Sequence, residues 1–119
     1  MKPRRPAQLL SARSLRSFRI VLVTVPSRTK AERLARGILS KKLASCVNLV
    51  GGVRSWYRWK GRVNSDSEFL LIIKTAQGSL RSLHRWIRDN HPDEVPEFLS
   101  ITPTEGDSDY LQWLKANLS

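Results

Sequence analysis

Five consecutive apolar residues, Phe69-Leu70-Leu71-Ile72-Ile73, constrain this chain more than any other stretch. Neighbours along a strand point to opposite faces, so such a run puts apolar side chains on both sides of a sheet and needs cover above and below. The run belongs to a hairpin. Cys46-Val47-Asn48-Leu49-Val50 leads through Trp56-Tyr57-Arg58-Trp59 to Lys60-Gly61, and the chain returns through Glu68 to Lys74. At 119 residues the chain has length for one domain, with few helices to cover two sheet faces. One face is therefore expected to find its cover in another subunit.

The flanking segments supply the rest of the fold. Ile20–Val25 is β-branched and continuous up to Pro26, which predicts a buried strand. Thr29 and Glu32 have the T-x-x-E spacing of a capping box. Ala31, Leu34, Ala35, Ile38 and Leu39 then recur at helical spacing, predicting a helix that ends near Lys42. Leu80, Leu83 and Ile87, with Trp86 beside them, predict a second helix opening at Gly78-Ser79. It closes before His91-Pro92, because a residue preceding proline is driven out of the helical region. Phe98–Thr102 reads as a fourth strand, and Asp107 or Ser108 as the cap of a last helix carrying Tyr110, Leu111, Trp113, Leu114 and Leu118. With right-handed crossovers this order makes an α+β, ferredoxin-like βαββαβ sandwich with an extra C-terminal helix and a long hairpin between its second and third strands. Both main helices then lie on one face of the sheet, and the other face is bare.

The net charge of +11 suggests nucleic acid until it is divided along the chain. Residues 1–19 carry six basic side chains and no acid, whereas residues 20–119 carry 15 basic and 10 acidic ones. More than half of the excess thus sits in about a sixth of the sequence. Residues 1–19 are expected to form a flexible basic arm, and 20–119 the folded domain. The Arg- and Ser-rich start also has the composition of an organelle-targeting segment or of a misread upstream start. No stretch approaches the roughly 20 apolar residues of a membrane-spanning helix. A single cysteine, Cys46, precludes an internal disulfide and suits a reducing compartment, the cytoplasm by default.

Trp56, Tyr57 and Trp59 interleaved with Arg54, Arg58, Lys60 and Arg62 resemble the mixture used to stack and neutralise single-stranded nucleic acid. Strand alternation argues against that use. Trp56 shares a face with Arg54 and Arg58, while Tyr57 and Trp59 share the other with Val53, so no single aromatic platform forms and packing against a neighbouring subunit is favoured. Catalysis is disfavoured too. The sequence holds no glycine-rich phosphate cradle and no nucleophile beside a base, and Gly51-Gly52 before Arg54 is a weak phosphate signal.

Ala44-Ser45-Cys46-Val47-Asn48-Leu49-Val50, Ser55-Trp56-Tyr57-Arg58-Trp59-Lys60-Gly61, Asp66-Ser67-Glu68, Ile73-Lys74-Thr75, His91-Pro92-Asp93-Glu94-Val95-Pro96-Glu97 and Tyr110-Leu111-Gln112-Trp113-Leu114 follow one another in a characteristic order. In this the chain resembles the divalent-ion tolerance protein CutA family, over about Val21 to Leu118. The resemblance implies a homotrimer of ferredoxin-like subunits associated with tolerance of copper and other divalent metals, with no established reaction and no obligatory cofactor. It also agrees with Trp56, Tyr57 and Trp59 at the trimer interface; Glu68, Lys74 and Trp113 are candidates to line an intersubunit pocket, with salt bridges to other partners the favoured role for Glu68 and Lys74. Metal-binding relatives use a thiol in the first strand and adjacent histidines before the proline. Those positions here are Val23, Asn90 and His91, so only His91 keeps a ligand.

The candidate metal ligands are accordingly His91 with Glu94, Glu97 or Cys46, imidazole suiting copper or zinc and thiolate favouring Cu(I). Structural roles compete for each. Cys46 at a strand start is more often a small buried apolar residue than a ligand, and His91 reads as the residue that caps the second helix or holds the turn at Pro92. Glu68 and Lys74 share one strand face but stand about 20 Å apart, too far for an ion pair with each other. A second reading makes the chain a small-ligand sensor or scaffold working through intersubunit clefts, similar to the trimers of nitrogen signalling.

Overall fold

The computed structural model describes residues 6 and 8–119. Its elements are β1 (Leu9–Leu10), β2 (Phe18–Val25), α1 (Arg28–Ser40), β3 (Cys46–Trp59), β4 (Arg62–Ala76), α2 (Leu80–Asn90), β5 (Leu99–Ile101), β6 (Gly106–Asp107) and α3 (Ser108–Ala116). The main sheet runs β3-β4-β2-β5, antiparallel throughout. This is the ferredoxin-like α+β sandwich that the order of elements predicts.

Alternation along the Phe69–Ile73 run makes two unlike sheet faces. Val21, Val23, Val25, Leu71, Ile73 and Thr75 point one way and are completely buried. Ala31, Leu34 and Ile38 of α1 and Leu83 and Ile87 of α2 cover them. Ile20, Leu22, Leu70 and Ile72 point the other way, in register with Leu99 and Ile101 of β5. Among the described residues no helix lies over that second face except at its Phe18 end, where α3 packs. Leu99 is 59% and Ile101 48% exposed, so the bare apolar face expected from sequence is present.

The hairpin turns at Lys60-Gly61, whose φ angles of 51° and 76° give the two-residue turn that follows the right-handed twist of its strands. Val50 pairs with Leu70 but Val53 pairs with Glu68, so β3 holds one extra residue at Gly51-Gly52. That bulge, with Gly52 at φ 76°, replaces the weak phosphate signal with a structural role. It also switches parity. Cys46, Asn48 and Val50 face the bare side before it, and Val53, Ser55, Tyr57 and Trp59 face that same side after it.

Helix α1 begins two residues earlier than expected. Its cap is Ser27, whose hydroxyl accepts from the Lys30 N–H at 3.2 Å, so Thr29 lies inside the first turn and the Thr29–Glu32 capping box is not formed. Serine wins because its extended backbone aims the hydroxyl into the helix. The C-terminus closes with Leu43 N–H on Ile38 O and Lys42 N–H on Leu39 O, with Lys42 in the left-handed region usually taken by glycine.

Gly37 faces Trp86, and a Cβ there would stand 2.4 Å from the indole Cη2. Gly37→Ala is therefore expected to lower stability by about 1–2 kcal/mol in urea titration, despite alanine's better helix propensity. An unchanged midpoint would mean that Trp86 swings aside freely.

The expected boundary at residue 19 needs correction. Leu15 is fully buried and Phe18 nearly so, packed with Leu111 and Leu114 of α3 in a second cluster, and β1 pairs with β6. Composition hid this because Leu10, Leu15 and Phe18 find their periodicity only against the stripe of α3. The remaining arm cations Lys2, Arg4 and Arg5 lie outside the described residues.

Candidate functional site

The bare face and its hairpin gather most of the residues singled out from sequence. Register puts Cys46 directly opposite Lys74, and Glu68 six residues before Lys74 on the same face. Lys74 Nζ donates to Asn48 Oδ1 and not to Glu68, as their separation requires. At the Lys74 end a cavity of about 160 Å³ is lined by Arg19, Ile20, Lys74, Glu105, Tyr110 and Leu114. Trp113 stands beside Tyr110, ring centroids 5.8 Å apart, and is 47% exposed. Burial, and then the charge of nearby Cys46, push the Tyr110 hydroxyl pKa up.

The other end of the face is acidic. Tyr57 donates its hydroxyl proton to Asp66, and that bond, with the fields of Asp66, Glu68 and Asp93, raises the Tyr57 pKa. Glu97 is pushed up by partial burial and then by Glu68. Two carboxylates therefore feel each other here, while Cys46 lies a strand's length away. Beyond the point where β2 ends, Val53–Trp59 pairs only with Arg62–Glu68. A two-stranded ribbon is marginal by itself. Tyr57 and Trp59 on its bare-face side are 42% and 40% exposed, and Trp56 on the opposite side 69%.

His91 is placed elsewhere. Its ring is buried, with Nε2 2.8 Å from Thr24 O and Nδ1 accepting the Asp93 N–H at 3.0 Å. The second bond makes Nδ1 the acceptor, so Nε2 carries the proton and donates to Thr24 O. Both nitrogens are committed to tying the end of α2 and the turn after it to β2. His91 as a metal ligand does not fit this geometry, because binding an ion would break one of two buried bonds. Glu94 is exposed on the same turn. Val23 is buried core, and Asn90 donates to Trp86 O at 2.7 Å. Among the described residues no three His, Cys, Asp or Glu side chains converge where an ion could sit.

His91→Ala is expected to lower stability by about 1–3 kcal/mol, since Thr24 O and Asp93 N–H lose their partner. It should leave Cu(II) and Zn(II) affinity, by isothermal titration, equal to that of the unaltered chain. A lost binding event would restore His91 to a site. Sequence reasoning missed Asn48, Asp66 and Tyr110. Period-two spacing from Tyr57 and Lys74 across the hairpin signals the first two once register is known, whereas Tyr110 depends on how α3 docks.

The family model described as CutA1 divalent ion tolerance protein matches residues 19–117. The chain is 49% identical over 96 residues to a chloroplastic CutA protein of Arabidopsis thaliana, an alignment covering 81% of this chain and 53% of that one. It is 41% identical over 98 residues to the divalent-cation tolerance protein CutA of Thermus thermophilus, covering 82% and 95%. The chain thus spans about half the length of the plant relatives, and nearly all of the bacterial one. The crystal structure of CutA1 from Oryza sativa superposes with a TM-score of 0.84 at 43% identity, covering 87% of this chain and 94% of that one. Sequence and fold agree: the chain belongs to the CutA1 divalent ion tolerance family.

Proposed function

We propose that the chain acts as a homotrimeric divalent-cation tolerance protein, working by binding and assembly and not by turnover. The observation that carries this reading is the bare sheet face. Leu22, Leu70, Ile72, Leu99 and Ile101 form an apolar surface that no helix among the described residues covers, with Ile20 at its edge beside α3. Such a surface marks an interface, and the aromatic, Arg-bearing ribbon beside it has the composition of one. Family membership supports the tolerance role. Trp56, Tyr57 and Trp59 lock the ribbon onto a neighbouring copy in this reading.

The ions are copper or another divalent metal, taken where copies meet. His91 is not among the ligands. Glu68 and Glu97 at one end of the face, and Cys46 at the other, are the donors that a second copy can complete. A reducing compartment, the cytoplasm first, suits the single thiol. Among the described residues no helix is long and apolar enough to cross a membrane.

Native mass spectrometry should show three chains, and Trp59→Glu should weaken the assembly. A stable single chain at high micromolar concentration would overturn the reading. The cavity beside Lys74, Glu105 and Tyr110 favours a second reading, a small-ligand sensor or scaffold that binds its ligand in a cleft between copies. A ligand-dependent rise in melting temperature across a metabolite panel, absent with metals, would select it.

A further inference from the structure

The charge of residues 20–119 is not spread evenly over the fold. Helix α1 with its C-terminal turn carries six cations from Arg28 to Lys42, and α2 carries Arg81, Arg85 and Arg88, all nine exposed. Glu32 and Asp89 are the only acids on these two segments, so the helix layer is net +7. The rest of residues 20–119 holds six cations and eight acids, net −2. Counting charge over the whole of residues 20–119 conceals this segregation.

The cations are also unspent. Among the described residues, Arg28 is the only one of the nine with a carboxylate within 4.0 Å, that of Glu32. Arg81, Arg85 and Arg88 follow i, i+4, i+7 and share one outward face of α2, and Arg33 and Arg36 project from α1 one turn apart. Between the helices lies a cleft of about 170 Å³ lined by Lys30, Arg33, Trp86 and Asn90. Gly37 leaves room for the indole to pack closely against α1.

We propose that the helix layer binds the phosphate backbone of nucleic acid, without reading its sequence. Six of the nine cations are arginine, whose planar fork grips phosphate oxygens in pairs, and a face this basic concentrates a polyanion by releasing its counterions. An acidic membrane suits the face less well. Helices that lie on a bilayer bury exposed Trp, Phe or Leu in it, whereas these helices turn their large apolar side chains into the core, leaving only Leu39 exposed. The Trp-rich hairpin, whose aromatics divide between two faces, takes no part. In the proposed trimer the bare faces turn inward and the helix layers outward, so three such surfaces remain available.

The test is fluorescence anisotropy of a labelled oligonucleotide of about 20 nucleotides, with the full chain in about 50 mM salt. Saturable binding is expected, weakening linearly on a log–log salt plot. Arg33→Glu/Arg85→Glu/Arg88→Glu should weaken binding at least ~10-fold and reduce the salt slope by about 2, near 0.7 per lost phosphate contact. Lys115→Glu, an exposed cation on α3 away from the helix layer and the hairpin, should leave both unchanged. The N-terminal cations are present in every variant, so a loss on helix substitution cannot come from them. Should charge reversal disturb the circular dichroism spectrum, the Gln replacements at the same three positions should still weaken binding in proportion to charge removed. Absence of binding, binding that survives both helix triples, or equal or tighter retention on vesicles containing phosphatidylserine would each overturn the proposal.

Discussion

Ile72→Asp is expected to leave the chain folded and to break its self-assembly. Ile72 sits in the middle of the bare face, paired with Leu22 of β2 on one side and Asn48 of β3 on the other. In a single chain it is only half-buried, so a carboxylate there stays solvated and the fold tolerates it. Between copies the same carboxylate would be stripped of water in an apolar surface, and a buried charge that is not fully paired costs several kcal/mol. The subunit concentration needed for assembly should rise at least ~100-fold, about 3 kcal/mol. Sedimentation velocity with a circular dichroism control measures both halves of the statement. A variant that keeps the unaltered assembly mass would show that this face is not where copies meet.

Ile73→Ala, one residue further along, should do the opposite. Ile73 is fully buried between β2, β3 and the helices, in register with Val21 and Val47. Truncation removes apolar contact and leaves a cavity that close-packed neighbours fill only in part, costing about 2–5 kcal/mol. The melting temperature should fall by several degrees or more, while the subunit count below the transition stays the same. A loss of under about 1 kcal/mol would mean that the helix layer collapses readily onto the sheet. Comparing the two variants separates subunit stability from assembly on adjacent residues of one strand.

How much of the site could be read beforehand depended on how local its cause was. The turn at Lys60-Gly61, the Asp107 cap of α3 and the stop of α2 before Pro92 each follow from neighbours in the chain, and each is where sequence places it. The Ser27 cap was missed because Thr29–Glu32 offered a competing pattern two residues on. For His91 the sequence left two roles open. The structure supports the bland one, since its partners are a carbonyl 67 positions earlier and a backbone N–H two positions later.

By itself, the sequence determined the order of the main-sheet strands and the three helices, the pairing of the hairpin and the existence of two apolar sheet faces, because these depend on side-chain period and turn chemistry within a few residues. The tertiary structure alone decided which face the helices cover and how the bulge at Gly51-Gly52 returns Tyr57 and Trp59 to the bare side. It also decided that Leu15 and Phe18 belong to the core, and that the cations of two helices separated by the whole hairpin form one surface. These outcomes rest on contacts between residues far apart in the chain, where neither period nor composition carries the information.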